Sequence, residues 1–151
     1  MEPTSGAQVR KSAEESFASG LYCAESVVLA MAKSQGIESA LLPKIATAFC
    51  GGMSRTCGTC GALTGAVMGL GLALGRSQAG ESALPAYQAT QRLITQFERE
   101  FGARDCHELL GCDLGTPEGQ AKFRNDGLAE LCAKLTGRAA ELAETILSES
   151  R

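Results

Sequence analysis

The 151 residues carry 14 Lys and Arg against 17 Asp and Glu, a net charge of −3, and the basic residues are scattered singly. That excludes the basic stripe nucleic-acid binding requires, and 5 Phe, 2 Tyr and no Trp leave no stacking platforms for bases. The length suits one domain, read as residues 1–151, which can bury a core without disulfide staples.

An odd total of 7 cysteines leaves at least one thiol without an internal disulfide partner. The opening segment, MEPTSGAQVRKSAEESF, has no apolar core of a secretory signal, so the expectation is a cytoplasmic protein in a reducing compartment. Cysteine clusters there are more often redox-active or metal-binding than structural disulfides.

In chain order, residues 6–19 read as a short amphipathic helix, with Arg10, Lys11, Glu14 and Glu15 around Val9, Ala13 and Phe17, and Gly20 as its stop. Residues 21–35 form a stronger helix, with Cys23, Val27, Ala30 and Met31 on one face and Gly36 ending it. Ser39 caps a third helix whose apolar side is Ile45, Ala46 and Phe49; Pro43 is tolerated in its first turns. Gly51-Gly52 closes that helix, with Cys50 at its end.

Residues 56–75 are uncharged and hold the Cys57-Gly58-Thr59-Cys60 pair at the start of a predicted helix. A thiolate at a helix N-terminus is stabilised by the unpaired N–H groups, which makes it a better nucleophile or ligand, and Arg55 adds to that field. Leu63, Val67, Leu70 and Leu74 recur at helical spacing, while Gly61, Gly65 and Gly69 make a ladder of small residues. Glycine inside a helix costs about 1 kcal/mol relative to alanine, so the ladder calls for close approach of another backbone. The run is long enough to span a membrane, but its Gly, Ala and Thr content and its isolation fit a buried central helix better.

After a polar loop at 76–82, residues 83–101 form a long helix with Tyr87, Ile94 and Phe101 a heptad apart, Leu84 and Phe97 filling the stripe, and Gly102 as stop. Residues 105–112 make at most two turns, carrying Cys106, Cys112 and the lone histidine, His107. Thr116-Pro117 starts a short helix that breaks near Asp126-Gly127. The last helix has Leu128, Cys132, Leu135, Ala139, Leu142 and Ile146 on one seam, which buries Cys132. With no alternating run bounded by turns, the predicted fold is all-α, a single-domain bundle of five to seven helices around the glycine-laddered helix.

The Cys57–Cys60 spacing occurs in thioredoxin-like proteins, but no βαβ pattern surrounds it here. Cys23 and Cys132 read equally as small core hydrophobes, Met53 and Met68 as core or loop residues. His107 either tunes Cys106 or is exposed. Glu14-Glu15, Glu98-Arg99-Glu100, Glu141 and Glu144 read as solvated faces. No G-x-G-x-x-G follows a strand, so no nucleotide or flavin site is expected.

Cys60-Gly61-Ala62-Leu63-Thr64-Gly65 resembles the CGAxxG motif of the C_GCAxxG_C_C family, small proteins described as redox-active with four characteristic cysteines. The resemblance extends to residues 22–27, Gly51-Gly52-Met53, residues 106–111 and Cys132, and so covers most of the chain. It implies that Cys23, Cys60, Cys106 and Cys132 are the working set and that Cys50, Cys57 and Cys112 are additions.

Three functions are therefore open. The first is a thiol/disulfide redox protein, possible as an oxidoreductase, with Cys60 as reactive thiolate and Cys57, Cys23, Cys106 or Cys132 as its resolving partner. It needs no cofactor, and its redox partner is unidentified. The second is a zinc or iron–sulfur protein for electron transfer, storage or sensing, with Cys23, Cys60, Cys106 and Cys132 as ligands. The third is a non-enzymatic helical module, a homodimer through the small-residue ladder, with its thiols merely buried.

Overall fold

The computed structural model describes residues 4–150, so Met1 to Pro3 of the segment read for a leader, and Arg151, lie outside the described residues. Eight right-handed α-helices follow one another: α1 Gly6–Ala18, α2 Cys23–Ser34, α3 Leu41–Ala46, α4 Gly61–Leu74, α5 Leu84–Phe101, α6 Cys106–Leu110, α7 Pro117–Asn125 and α8 Ala129–Glu149. The all-α reading holds, and the eight helices of the described residues are one more than the upper end of the expected five to seven. Among the described residues the extended structure is limited to one antiparallel bridge, Thr59 to Asp105. No helix there is long and apolar enough to cross a membrane.

Local chemistry sets the ends. The Gln8 N–H donates to Ser5 Oγ at 3.2 Å and the Ser5 N–H donates to Gln8 Oε1 at 2.7 Å, a reciprocal cap on α1. Thr116 Oγ1 accepts from the Gly119 N–H at 3.0 Å and starts α7. Left-handed Gly102 (φ 84°) and Gly111 (φ 71°) end α5 and α6.

The middle helix α4 is the hub. Leu63, Ala66 and Leu70 are fully buried between α2, α5 and α8, meeting Val27 and Met31, Leu93 and Phe97, and Ala139 and Ala143 in one core. The glycine ladder faces α2: a Cβ at Gly65 would lie 2.7 Å from the Ala24 carbonyl oxygen and 2.9 Å from its Cα, and one at Gly69 would overlap Met31. The expected close backbone approach is made to α2 at Gly65 and to Phe49–Cys50 at Gly61, while Gly69 makes room for the Met31 side chain. In turn α1 lies across α2 and α8 through Val9 and Ala13.

Three side-chain assignments change. On α5 the core row is Ala89, Leu93 and Phe97, with Ile94 and Phe101 flanking it, while Leu84 (56% exposed) and Tyr87 (62%) face water. A heptad spacing and an i, i+4 row overlap on so long a helix, and the bundle uses the second. On α3 the inward residues are Leu42 and Ala46, and Ile45 is exposed. Glu144 is not on a solvated face: it is 1% exposed and its Oε2 accepts from Ser34 Oγ at 3.0 Å, tying α8 to α2. Glu141 is bridged by Arg10 and Arg138, which hold its carboxyl below the usual range against the opposing effect of burial.

A candidate thiol-lined site

Cys60 is the N-cap residue of α4, its carbonyl accepting the first helical N–H groups from Leu63 (3.0 Å) and Thr64 (3.1 Å). Two backbone bonds across the Thr59–Asp105 bridge fix its place: the Cys60 N–H donates to Arg104 O at 2.7 Å, and the Cys106 N–H donates to Gly58 O at 2.9 Å. The bridge therefore sets the start of α6, with buried Cys106, beside the start of α4, with buried Cys60.

Cys23, the first residue of α2, packs its sulfur where a Cβ on Gly61 would stand, one residue beyond Cys60. Glu25 holds that end of α2. This buried carboxylate accepts the Tyr22 N–H at 2.9 Å on Oε1 and the Thr47 hydroxyl at 2.7 Å on Oε2. Thr47 belongs to the 3₁₀ turn Thr47–Phe49, which leads straight into Cys50. The Cys50 thiol donates to Ala46 O at 3.6 Å.

From Cys50 the chain enters a left-handed turn, Cys50–Arg55, with φ of 70°, 71°, 60° and 59° at residues 51–54 and 67° at Arg55. For residues with a Cβ this conformation costs roughly 1–2 kcal/mol each. Ser54 Oγ donates to Ala48 O at 2.7 Å and Thr56 Oγ1 to Met53 O at 2.7 Å, and the Gly58 N–H donates to Gly52 O at 2.9 Å. A Cβ on Gly52 would collide with the Cβ of Cys106, so this glycine lets the turn lie against α6. Sequence reading marked Gly51-Gly52 only as a helix stop. Met53, Ser54 and Arg55 carry no signal for the left-handed region, and the glycine pair was the one available clue.

These elements enclose a cavity of about 610 Å³ whose lining includes Cys23, Cys50, Cys60, Cys106 and Cys132. Cys132, in the first turn of α8, is half-buried where the seam was expected to cover it, because the cavity opens against it. Its walls are mostly apolar, among them Phe17, Leu21, Leu109, Phe123 and Leu135. Cys23, Cys60, Cys106 and Cys132, the set implied by the resemblance, thus line one cavity together with Cys50.

Cys57 and Cys112 do not line it. Cys57, itself left-handed at φ 62°, sits on the connecting loop outside the cavity lining, so the two members of the Cys57–Cys60 pair serve different surroundings. His107 is exposed on α6 and absent from the lining.

All seven cysteines are free thiols. Burial pushes the Cys60 thiol up to about 11, against the helix N-terminal N–H groups of Ala62 and Leu63, which act in the opposite direction. The expected acidification at the helix start is therefore real as a contribution and outweighed in sum. Burial likewise pushes Cys106 up to about 11 and Cys132 to about 12. The neighbouring Cys23 thiol, then burial, raises Cys50. Burial and then Asp113 raise Cys57. Among the described residues no three Cys, His, Asp or Glu side chains gather closely enough to hold a metal ion.

Residues 21–146, a span that encloses every cysteine, match the model of a protein family described as "Putative redox-active protein (C_GCAxxG_C_C)". No curated protein and no solved structure matches the chain.

Proposed function

The chain belongs to the C_GCAxxG_C_C family, and from that membership we propose that it is a thiol/disulfide redox protein whose exchanging groups are the cavity cysteines. The observation that carries this reading is that five thiols, from α2, the left-handed turn, the start of α4, α6 and α8, line one cavity.

In this reading Cys60 is the attacking sulfur. Once deprotonated, its thiolate receives the N–H groups of Ala62 and Leu63, the interaction already opposing burial in the resting state. It attacks one sulfur of a substrate disulfide, that S–S bond breaks, and the departing sulfur takes up a proton. Cys23, whose sulfur packs on Gly61, then attacks Cys60 in the mixed disulfide and expels the second substrate sulfur, which is also protonated. Two electrons and two protons leave the cavity dithiol, and two substrate thiols and one protein disulfide result. Cys50 and Cys106, close on either side, can take over the new disulfide by further exchange.

Disulfide mapping by mass spectrometry after graded oxidation tests this. Thiols should disappear in pairs within Cys23, Cys50, Cys60, Cys106 and Cys132 and return with a dithiol reductant, and Cys60→Ser should abolish the first pair. Oxidation confined to Cys57 and Cys112 would refute the cavity as the exchanging site. Stoichiometric zinc or iron in oxygen-free preparations would instead make Cys23, Cys60, Cys106 and Cys132 ligands.

A further inference from the structure

The charge of the cavity lining is one-sided. It includes Arg55, from the left-handed turn, and Arg124, from α7, but no Asp, Glu or Lys. Among the described residues Arg55, Arg124, Arg76 and Arg99 make no ion pair, and of these four exposed or partly exposed arginines only Arg55 and Arg124 line the cavity, both at its solvent-exposed margin. Gln120 is the one side-chain amide in the lining, and its Nε2 is already committed to Leu114 O at 3.0 Å. The lining hydroxyls of Thr47 and Ser54 are likewise committed, to Glu25 Oε2 at 2.7 Å and Ala48 O at 2.7 Å, and apart from the Tyr22 phenol the remaining side chains are hydrocarbon and thiol. An apolar space of this size with a few polar groups at its margin is the ordinary form of a small-molecule site. Guanidinium groups recognise carboxylates and phosphates through paired N–H donors.

We propose that the cavity takes a low-molecular-weight disulfide carried on an apolar chain with an anionic end group: the chain against the leucines and phenylalanines, the sulfurs among the cysteines, the anion at Arg55 and Arg124. This rests on the thiol/disulfide reading above and names its substrate class. In a single turnover one cavity thiolate opens the substrate S–S bond to give a mixed disulfide, and a second cavity cysteine displaces the substrate. The substrate gains two electrons and two protons as the protein dithiol becomes a disulfide.

Lipoate and lipoamide test the charge requirement, because they share ring and hydrocarbon and differ in a carboxylate against a neutral amide. Exchange is followed from both sides, reduced protein with each cyclic disulfide and oxidised protein with each dithiol. The expected result is a second-order rate at least about tenfold higher for the carboxylate pair, equivalent to ~1.4 kcal/mol. Raised ionic strength should shrink that ratio in the wild-type protein, and in the Arg55→Gln/Arg124→Gln variant it should fall to within about twofold of unity. Equal rates for the two probes in the wild type overturn the proposal and leave the redox reading standing. Reduction of a protein disulfide with no exchange on either probe also overturns it, in favour of a macromolecular partner. If no disulfide of any kind exchanges, the redox reading has failed, and octanoate then judges the site alone. Saturable binding followed by NMR and lost in the double variant supports the anion site, and no binding overturns that too.

Discussion

Cys60 shows how a sequence feature can be present and still be outvoted. The N–H groups of Ala62 and Leu63 favour its thiolate, yet the thiol of a residue only 6% exposed loses more from leaving water than two N–H groups return. Alkylation of Cys60 by iodoacetamide should therefore rise about tenfold per pH unit from neutrality with no plateau below pH 10; a plateau near pH 7 would contradict the account. The same shift has a stability consequence. Folded-state values above the ordinary 9.0 mean that between about pH 9 and 11 the folded protein holds more protons than the unfolded chain. The contribution of Cys60 and Cys106 is then complete below pH 9 and lost as pH rises toward 11, at ~1.4 kcal/mol per pH unit for each group. Under reducing conditions Cys60 and Cys106 should account for about 5 °C of the fall in melting temperature from pH 9 to pH 10, and Cys60→Ala/Cys106→Ala should remove that share and leave the part due to the other raised thiols. That Cys60 caps a helix could be read from Cys60-Gly61-Ala62. That burial wins could not, because exposure depends on α6 and α8, far along the chain.

At the scale of elements, the glycine ladder was the most legible feature, since three small residues at a spacing of four have few reasons to persist in a helix. The position of each rung decides its energetics. Gly65→Ala should destabilise by about 2 kcal/mol in denaturant titration, because the added Cβ meets the Ala24 backbone, which cannot rotate aside. Gly71→Ala, on the same helix with open space at its Cβ, should stabilise by ~1 kcal/mol. If both substitutions behave alike, the α2–α4 contact is not where the structure puts it. The left-handed turn was not legible: it has no hydrophobic period, and two of its residues lend themselves as well to a helix stop. Met53, exposed at φ 60°, lacks the local bond that holds Ser54, so Met53→Gly should stabilise by about 1 kcal/mol. Loss of stability there would mean that the turn is not left-handed in solution. The α5 stripe was misread for a different reason, because Tyr87, Ile94 and Phe101 fit a heptad while the bundle buries the row of Ala89, Leu93 and Phe97.

For the whole molecule, the all-α class followed from patterning, and the spacing of its cysteines said little about which of them meet. Cys57 and Cys60 are neighbours in sequence and part ways in space; Cys23, Cys60, Cys106 and Cys132 are scattered over the chain and share a cavity. What joins them is the Thr59–Asp105 bridge and the Glu25–Thr47 bond, single long-range contacts that leave no periodic trace. The fold thus places several neutral thiols around one apolar space, and the central claim is that they work as an exchanging dithiol set. A redox titration of oxygen-free protein in graded thiol/disulfide buffers, with free thiols and metal content measured on each sample, tests it most directly. Metal-free protein should pass through a reversible two-electron transition in which two of the cavity thiols disappear together. A protein that carries one zinc or iron centre per chain, or that keeps every cavity thiol across the full range of potentials, would contradict it.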